Sequence, residues 1–238
     1  MGMSNHKRNP IPRPHFYVIL DRSGSMESMR ADVIGGFNNL LADQQDSKRG
    51  GGGDARLTLV QFDSQDPHEV LVDGARITKV RPLSDRTFVP RGGTPLLDAT
   101  GRVITMASVR EQQRATLGKR PEVITIITIT DGHENQSREF RRRDIVRLVK
   151  EKEAHGWSFA YMGANLDAYG EAGGIGYDAR STMSFAPDGA GAEHAFSNLS
   201  RAMTNKRDKI RRGESYDVGD FYEGDKAAEA DRRRRHGR

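Results

Sequence analysis

Three short stretches of this chain, far apart in sequence, carry the hydroxyl and carboxylate groups that hard divalent cations bind. Asp21, Ser23 and Ser25 lie in Asp-Arg-Ser-Gly-Ser, Thr94 lies in Gly-Gly-Thr-Pro, and Asp131 lies in Thr-Asp-Gly. Oxygen ligands of these types are the ones that Mg²⁺ and Mn²⁺ prefer in proteins. We therefore expect these five residues to form a divalent-metal site.

The predicted secondary structure would bring two of these stretches to the same place. His15–Leu20 and Val123–Thr130 are apolar runs, the second rich in β-branched residues, and such runs are typical of strands buried on both faces of a parallel sheet. Asp21 and Asp131 directly follow these two runs. Because doubly wound sheets bind ligands at the carboxyl ends of their strands, we expect the two carboxylates to meet there.

The other predicted elements alternate between strand and helix. Strand patterns occur at Leu57–Phe62, Glu69–Asp73, Trp157–Met162 and Thr182–Phe185, and helical patterns follow Met26 and cover Leu96–Val109, Arg138–Glu153 and Ala192–Met203. The second and third strands are joined by a link too short for a crossover helix, so they are predicted to be antiparallel. This order predicts an α/β fold: a doubly wound, mostly parallel six-stranded sheet with one antiparallel edge strand and helices on both faces.

Taken together, the three motifs resemble those of the von Willebrand factor A domain, and the resemblance covers roughly residues 14–204. It implies a metal-ion-dependent adhesion site. In such a site Ser23 and Ser25 bind Mg²⁺ directly, with Mn²⁺ or Ca²⁺ as alternative ions. Thr94 binds directly in the high-affinity state, and Asp21 and Asp131 bind directly or through water. The resemblance also implies an open coordination position that takes an Asp or Glu carboxylate from a protein partner.

Three more residues are predicted to line the rim of this site and to contact the partner. Arg22 lies inside the first motif, His133 follows Asp131 by two residues, and Asn165 follows the strand at Trp157–Met162. For His133 and Asn165, the role of an ordinary loop or turn residue is the alternative.

Composition limits the class of protein. The chain has 238 residues, of which 30% are charged and 35% hydrophobic, so it is long enough for one globular domain with a sizeable core. It has no cysteine, which excludes disulfides and thiolate metal sites and fits a reducing compartment. No segment approaches the roughly 20 apolar residues of a membrane helix, and the first residues lack the apolar core of a signal peptide. We expect a cytoplasmic protein without membrane contact, or a component of a virion or other assembly if the chain is phage-encoded.

Residues outside the predicted domain differ in composition from it. Residues 1–13 are polar and proline-rich and are predicted to be a flexible arm, whereas residues 205–238 are charged and predicted to be a disordered tail. The formal net charge is +5, and much of the excess lies in this tail, for example at Arg232–Arg235. A basic tail permits contact with nucleic acid or with an acidic protein.

The main functional prediction is a metal-dependent protein–protein interaction module of the stand-alone bacterial or phage type, and not an enzyme. No nucleophile–base–acid set stands out in the sequence, and the carboxylate of Asp131 is committed to the metal. Several alternatives stay open. They are a nucleic-acid-associated module similar to Ro-type RNA-binding proteins, a stress-response adaptor similar to those of tellurium resistance, a partner of an ATPase, and a metal-dependent phosphatase. Self-assembly or membership of a larger complex also stays open.

Overall fold

The sheet has the predicted architecture. A computed structural model describes residues 11–46, 54–164 and 167–236. Its six strands are β1 Arg13–Asp21, β2 Arg56–Phe62, β3 Glu69–Arg76, β4 Glu122–Thr130, β5 Ser158–Gly163 and β6 Thr182–Ser184. They lie in the order β3-β2-β1-β4-β5-β6, and only the β2–β3 pair is antiparallel. The predicted fold class is therefore confirmed.

Helices cover both faces of the sheet. They are α1 Arg30–Gln45, α2 Leu96–Thr116, α3 Arg142–Ala154, α4 Ala168–Gly174, α5 Gly189–Arg212 and α6 Ala227–His236. Alternate residues of β1 face opposite sides, because successive side chains of a strand point to opposite faces. Phe16 and Val18 enter a core shared with α1 and α5, whereas Tyr17 and Ile19 enter a core shared with α2 and α3. Of the helices described, none is both long and apolar enough to span a bilayer.

The C-terminal segment differs from its prediction of disorder. Helix α5 continues to Arg212, and Ile210 in its last turns is buried. Phe221 and Tyr222 are also buried and join the core shared with α1 and α5, and α6 packs on α5. Burial of these two aromatic residues outweighs the high charge of the surrounding sequence. Most of the predicted N-terminal arm lies outside the described residues, although Arg13 already belongs to β1.

Helices α1 and α5 pack closely at Gly36, and this contact gives a prediction. A Cβ atom at Gly36 would lie 2.2 Å from the ring of Phe196, which is only 2% exposed. We expect Gly36→Ala to lower the free energy of unfolding by about 1–3 kcal/mol, because the added methyl group overlaps the ring and the two helices or the ring must shift. Denaturant unfolding measures this change.

Gly35 provides the control for this prediction, because it lies on the same helix. No atom lies within 4 Å of a Cβ built at Gly35. Gly35→Ala should therefore leave the stability unchanged or raise it by up to about 1 kcal/mol, since alanine is the better helix former. Equal losses for the two substitutions would show that the contact with Phe196 is not the cause.

Candidate metal centre

Two of the three motifs meet where β1 and β4 end side by side. The parallel register pairs Leu20 with Ile129, so Asp21 and Asp131 emerge at the same edge of the sheet. The Ser25 hydroxyl donates to Asp131 Oδ1 over 2.8 Å, and the Ser23 and Ser25 Oγ atoms lie 3.1 Å apart. The serines of the turn after β1 therefore contact the aspartate that follows β4.

The remaining motif, which carries Thr94, lies beside Gly132, the residue after Asp131. A Cβ atom built at Gly132 would lie 3.2 Å from Thr94 Oγ1, 3.6 Å from Ser25 Oγ and 3.9 Å from Asp21 Oδ2. The absence of a side chain at Gly132 thus leaves a small space bordered by oxygen atoms from two of the motifs, and the hydrogen bond from Ser25 links this space to Asp131 of the third. The structure brings together all five residues that the sequence predicted as metal ligands.

The chemistry of these donors fits a hard divalent cation. Three hydroxyl groups and two carboxylates supply only oxygen atoms, which is the ligand set of Mg²⁺, Mn²⁺ and Ca²⁺. Ser23 and Thr94 are nearly inaccessible to solvent, so the space beside Gly132 is lined by polar groups that are already largely desolvated. That these residues bind a metal stays a prediction, and the geometry supports it.

Asp21 is held in one orientation by its neighbours. The Ser23 backbone N–H donates to its Oδ1 over 2.7 Å, and the Thr130 hydroxyl donates to its Oδ2 over 2.5 Å. Burial is the main cause that raises the pKa of Asp21 to about 7, and the charge of Asp131 contributes in the same direction, against the hydrogen bonds from Thr130 and Ser23. Burial also raises the pKa of Asp131. A bound cation would compensate both carboxylates and return them to the charged state.

The loop that carries Thr94 is tied to the loop that follows Asp131. The backbone N–H of Thr94 donates to Asn135 Oδ1 over 2.9 Å, and the N–H of Asn135 donates to the Thr94 carbonyl over 3.1 Å. The Glu134 carboxylate accepts the backbone N–H of Leu97, in the first turn of α2, over 3.0 Å. These bonds fix the distance between the second and third motifs.

Asp98 fastens the same loop from within α2. Its buried carboxylate accepts the backbone N–H groups of Arg138, Glu139 and Phe140 over 2.8–2.9 Å. Asp98, Thr130 and Asn135 were not among the residues predicted for the site. The polar residues 134–137 after Asp-Gly could have indicated a structured loop. Nothing in their sequence indicated that this loop would hydrogen-bond to α2.

Arg22 does not lie on the rim as predicted. Its side chain is buried, and its Nε donates to Asp63 Oδ2 over 2.6 Å. It also pairs with Glu69 and donates to Gln61 over 3.3 Å. Asp63, at the end of β2, is fully buried and needs a positive partner, and this explains why Arg22 turns inward. The residue joins the first motif to β2 and β3.

His133 lies at an exposed position consistent with the rim. Its side chain is 58% exposed, and its Nδ1 lies 2.9 Å from Oε1 of Glu171, a residue at the heart of α4. Glu171 also pairs with Arg142 over 3.1 Å. Asn165, the third residue predicted for the rim, lies outside the described residues.

Comparison with known proteins finds similarity in fold. No family model and no curated protein sequence matches the chain. Among solved structures, the pilus adhesin SpaC from Lactobacillus rhamnosus GG matches with a TM-score of 0.59 and 14% identity over 82% of this chain and 30% of its own. Proximal thread matrix protein 1 from the mussel byssus matches with a TM-score of 0.50 and 15% identity over 82% and 46%. The VWA domain of SpRpn10 matches with a TM-score of 0.48 and 15% identity over 79% and 95%.

These similarities concern the fold alone, because every identity is low. The chain spans less than half the length of SpaC and of the mussel protein. SpaC and the mussel protein are therefore similar to this chain in fold.

Proposed function

We propose that this chain is a protein-interaction module that binds a carboxylate of a partner protein through a divalent cation, Mg²⁺ or Mn²⁺. One observation carries the proposal. Thr94 Oγ1, Ser25 Oγ and Asp21 Oδ2 border a single space beside Gly132, and Ser25 also donates to Asp131, so residue types that bind hard cations meet there from three separate loops. The lack of a side chain at position 132 keeps that space available.

The charges of the five residues explain why the ion would attract a further anion. Ser23, Ser25 and Thr94 are neutral donors, so only Asp21 and Asp131 offset the two positive charges of the ion. Mg²⁺ usually keeps several waters, which an incoming carboxylate can replace. The Thr130 hydroxyl and the Ser23 N–H hold the Asp21 carboxylate still, which reduces the ordering needed when an ion binds.

The role we propose is binding and not catalysis. Both carboxylates next to the candidate ion are used to hold it, so neither is left to act as a general base. A binding role agrees with one protein of the same fold, since SpaC is a pilus adhesin. The acidic residue would come from the partner, and the rim around His133 would contact the surface beside it.

Substitution of one hydroxyl ligand tests the metal site directly. We expect Ser23→Ala to weaken Mn²⁺ binding by at least about tenfold, as loss of a ligand or of its support does in other metal sites. Electron paramagnetic resonance of free Mn²⁺ during a titration measures the affinity. Ser28→Ala is the matched control, because Ser28 is exposed and its hydroxyl only donates to the Ser25 carbonyl. Equal affinities for wild type and Ser23→Ala would refute the site.

Partner capture tests the function. Immobilised wild type and Asp21→Ala are exposed to lysate of the source cells with Mg²⁺ or with EDTA. We expect a partner that only the wild type retains, only with Mg²⁺, and that an acidic peptide displaces while the corresponding amide peptide does not. A partner that ignores EDTA, the substitution and the acidic peptide would show that recognition does not pass through the ion.

A further inference from the structure

A second group of metal-binding side chains lies beside the first site. His133 lies in the loop after β4, Asp167 directly precedes α4, and Glu171 lies within α4. Each offers one ligand atom, and these atoms all lie within 4.8 Å of one another. We propose that these three residues form a second divalent-cation site, selective for ions that accept imidazole, such as Zn²⁺. This site is separate from the five-residue oxygen site and does not depend on the proposed function.

The distance between His133 and Glu171 agrees with two ligands of one ion, and Asp167 lies within 4.8 Å of both. His133 Nδ1 and Glu171 Oε1 are 2.9 Å apart. Zinc binds nitrogen and oxygen ligands at about 2.0–2.2 Å, so neighbouring ligand atoms on one ion lie roughly 3 Å apart. With Asp167 as the third ligand, the set resembles zinc sites that leave a position for water. An imidazole among the donors favours Zn²⁺ or Mn²⁺ over Mg²⁺ and Ca²⁺, which prefer oxygen ligands only.

Arg142 offsets part of the negative charge of Glu171 but does not occupy the position between the three candidate ligands. Its Nη2 lies 3.1 Å from Glu171 Oε2 and 3.4 Å from Oε1, and its side chain is 45% exposed. A carboxylate can pair with arginine through one oxygen and bind a metal through the other. Oε2 therefore serves Arg142, while Oε1, the atom that faces His133, serves the ion.

An independent observation comes from Tyr161 on β5. Its side chain is fully buried, and its hydroxyl has no hydrogen-bond partner among the described residues. Burial is the main reason that the pKa of Tyr161 is raised, and the charges of Glu171 and Asp21 contribute in the same direction. A buried hydroxyl without a partner is costly, and a water bound to an ion at the cluster would accept its proton in a hydrogen bond.

The second site would act on the first through the chain between them. His133 follows Asp131 by two residues, so an ion that holds His133 against α4 also holds the loop that presents Asp131. The loop after β4 would then lose less conformational entropy when the oxygen site binds its own ion and the carboxylate of the partner protein. Zinc would therefore tighten Mg²⁺ binding without touching any of the five oxygen ligands.

Calorimetric titration with Zn²⁺ in millimolar Mg²⁺, near neutral pH, tests this inference. Under these conditions Mg²⁺ competes for the oxygen site and leaves the imidazole-containing site to Zn²⁺. We expect His133→Ala and Glu171→Gln each to weaken Zn²⁺ binding by at least about tenfold. His155→Ala is the matched control, because His155 is another exposed histidine, and we expect it to bind Zn²⁺ as the wild type does.

Asp21→Asn separates this site from the first one. The inference expects Zn²⁺ binding to survive in this variant, whatever happens to Mg²⁺ binding. Zn²⁺ binding that is lost in Asp21→Asn but unchanged in His133→Ala would place the zinc at the oxygen site and overturn the inference. Wild-type affinity in both His133→Ala and Glu171→Gln would also overturn it. His133 is exposed, so thermal unfolding of that variant should match the wild type and exclude misfolding as the cause.

Discussion

In the absence of metal, Asp21→Asn is expected to be more stable than the wild type at neutral pH, by up to about 4 kcal/mol. Burial is the main reason that the pKa of Asp21 rises from 3.8 to about 7, and the charge of Asp131 adds to it. A shift of about 3 units at roughly 1.4 kcal/mol per unit gives this size. The substitution removes the buried charge, whereas the wild type must keep it or bind a proton.

The same shift predicts how the stability of the metal-free wild type depends on pH. Between the unfolded pKa of about 4 and the folded pKa of about 7, the native protein holds a proton that the unfolded chain has lost. Stability from this group is therefore complete below about pH 4, falls as the pH rises towards 7, and is constant above it. Asp21→Asn should lack this slope. Urea unfolding in EDTA at a series of pH values measures both curves.

Magnesium should reverse the order of stability. On the proposed function the ion would bind the native wild type and not the unfolded chain, so it would raise the free energy of unfolding by mass action. Asp21→Asn, which lacks one carboxylate ligand, should gain much less. A wild type that is the more stable of the two in EDTA, or that shows no pH slope there, would contradict the electrostatic account of this site.

Glu122→Gln should lower the free energy of unfolding by about 2–3 kcal/mol at neutral pH, because it removes the buried carboxylate that three partly buried arginines share. Glu122 is the first residue of β4, so it lies at the end of the strand opposite the candidate metal site. Only 2% of its side chain is exposed. Its carboxylate lies 3.2 Å from Arg110, 3.3 Å from Arg114 and 3.7 Å from Arg56. One carboxylate thus compensates three guanidinium groups.

A chain of hydrogen bonds fixes the same carboxylate from the other side. The Gly74 N–H donates to Thr58 Oγ1, which donates to His15 Nε2, so that His15 Nδ1 donates to Glu122 over 3.0 Å. Burial lowers the pKa of His15, which keeps it neutral. Burial alone would raise the pKa of Glu122, but the bonds from His15 and Arg110 together lower it to about 2.

This depressed pKa gives the pH dependence of the Glu122 contribution. The stabilisation is present above the unfolded pKa of about 4.5 and is lost as the pH falls towards 2. Glu139→Gln is the control, because Glu139 pairs with Arg102 over 2.7 Å while both side chains are more than 40% exposed. That substitution should change stability by less than about 1 kcal/mol. Similar losses for the two variants would show that the buried network contributes little.

The sequence was sufficient for the elements whose pattern is local. The β-branched run of β4 and the apolar run of β1 are long and nearly uninterrupted, so both strands and the aspartates that follow them could be predicted. The short link between β2 and β3 likewise required an antiparallel pair. The meeting of Asp21, Ser23 and Ser25 with Asp131 follows from this topology, because neighbouring parallel strands end at the same edge.

Features that depend on distant partners could not be predicted in this way. Phe221 and Tyr222 are isolated aromatic residues in a charged, glycine-containing segment, so no periodicity marked them as buried. Arg22 stands between two motif residues and would be exposed but for Asp63, a partner forty-one positions away. Asp98 has the sequence context of an ordinary first-turn helix residue, although its three N–H donors lie in another loop.

The central place of β1 in the sheet has a consequence for biosynthesis. This strand leaves the ribosome before the rest of the sheet, yet one of its two neighbours, β4, follows only after α1, the β2–β3 hairpin and α2. Until then a nascent chain can pair β1 with β2 alone, and an apolar strand edge stays open to chaperones or to other nascent chains. Because Asp131 follows β4, a cation cannot assist these early steps. The proposed ion could stabilise only molecules in which β1 is already paired with both β2 and β4.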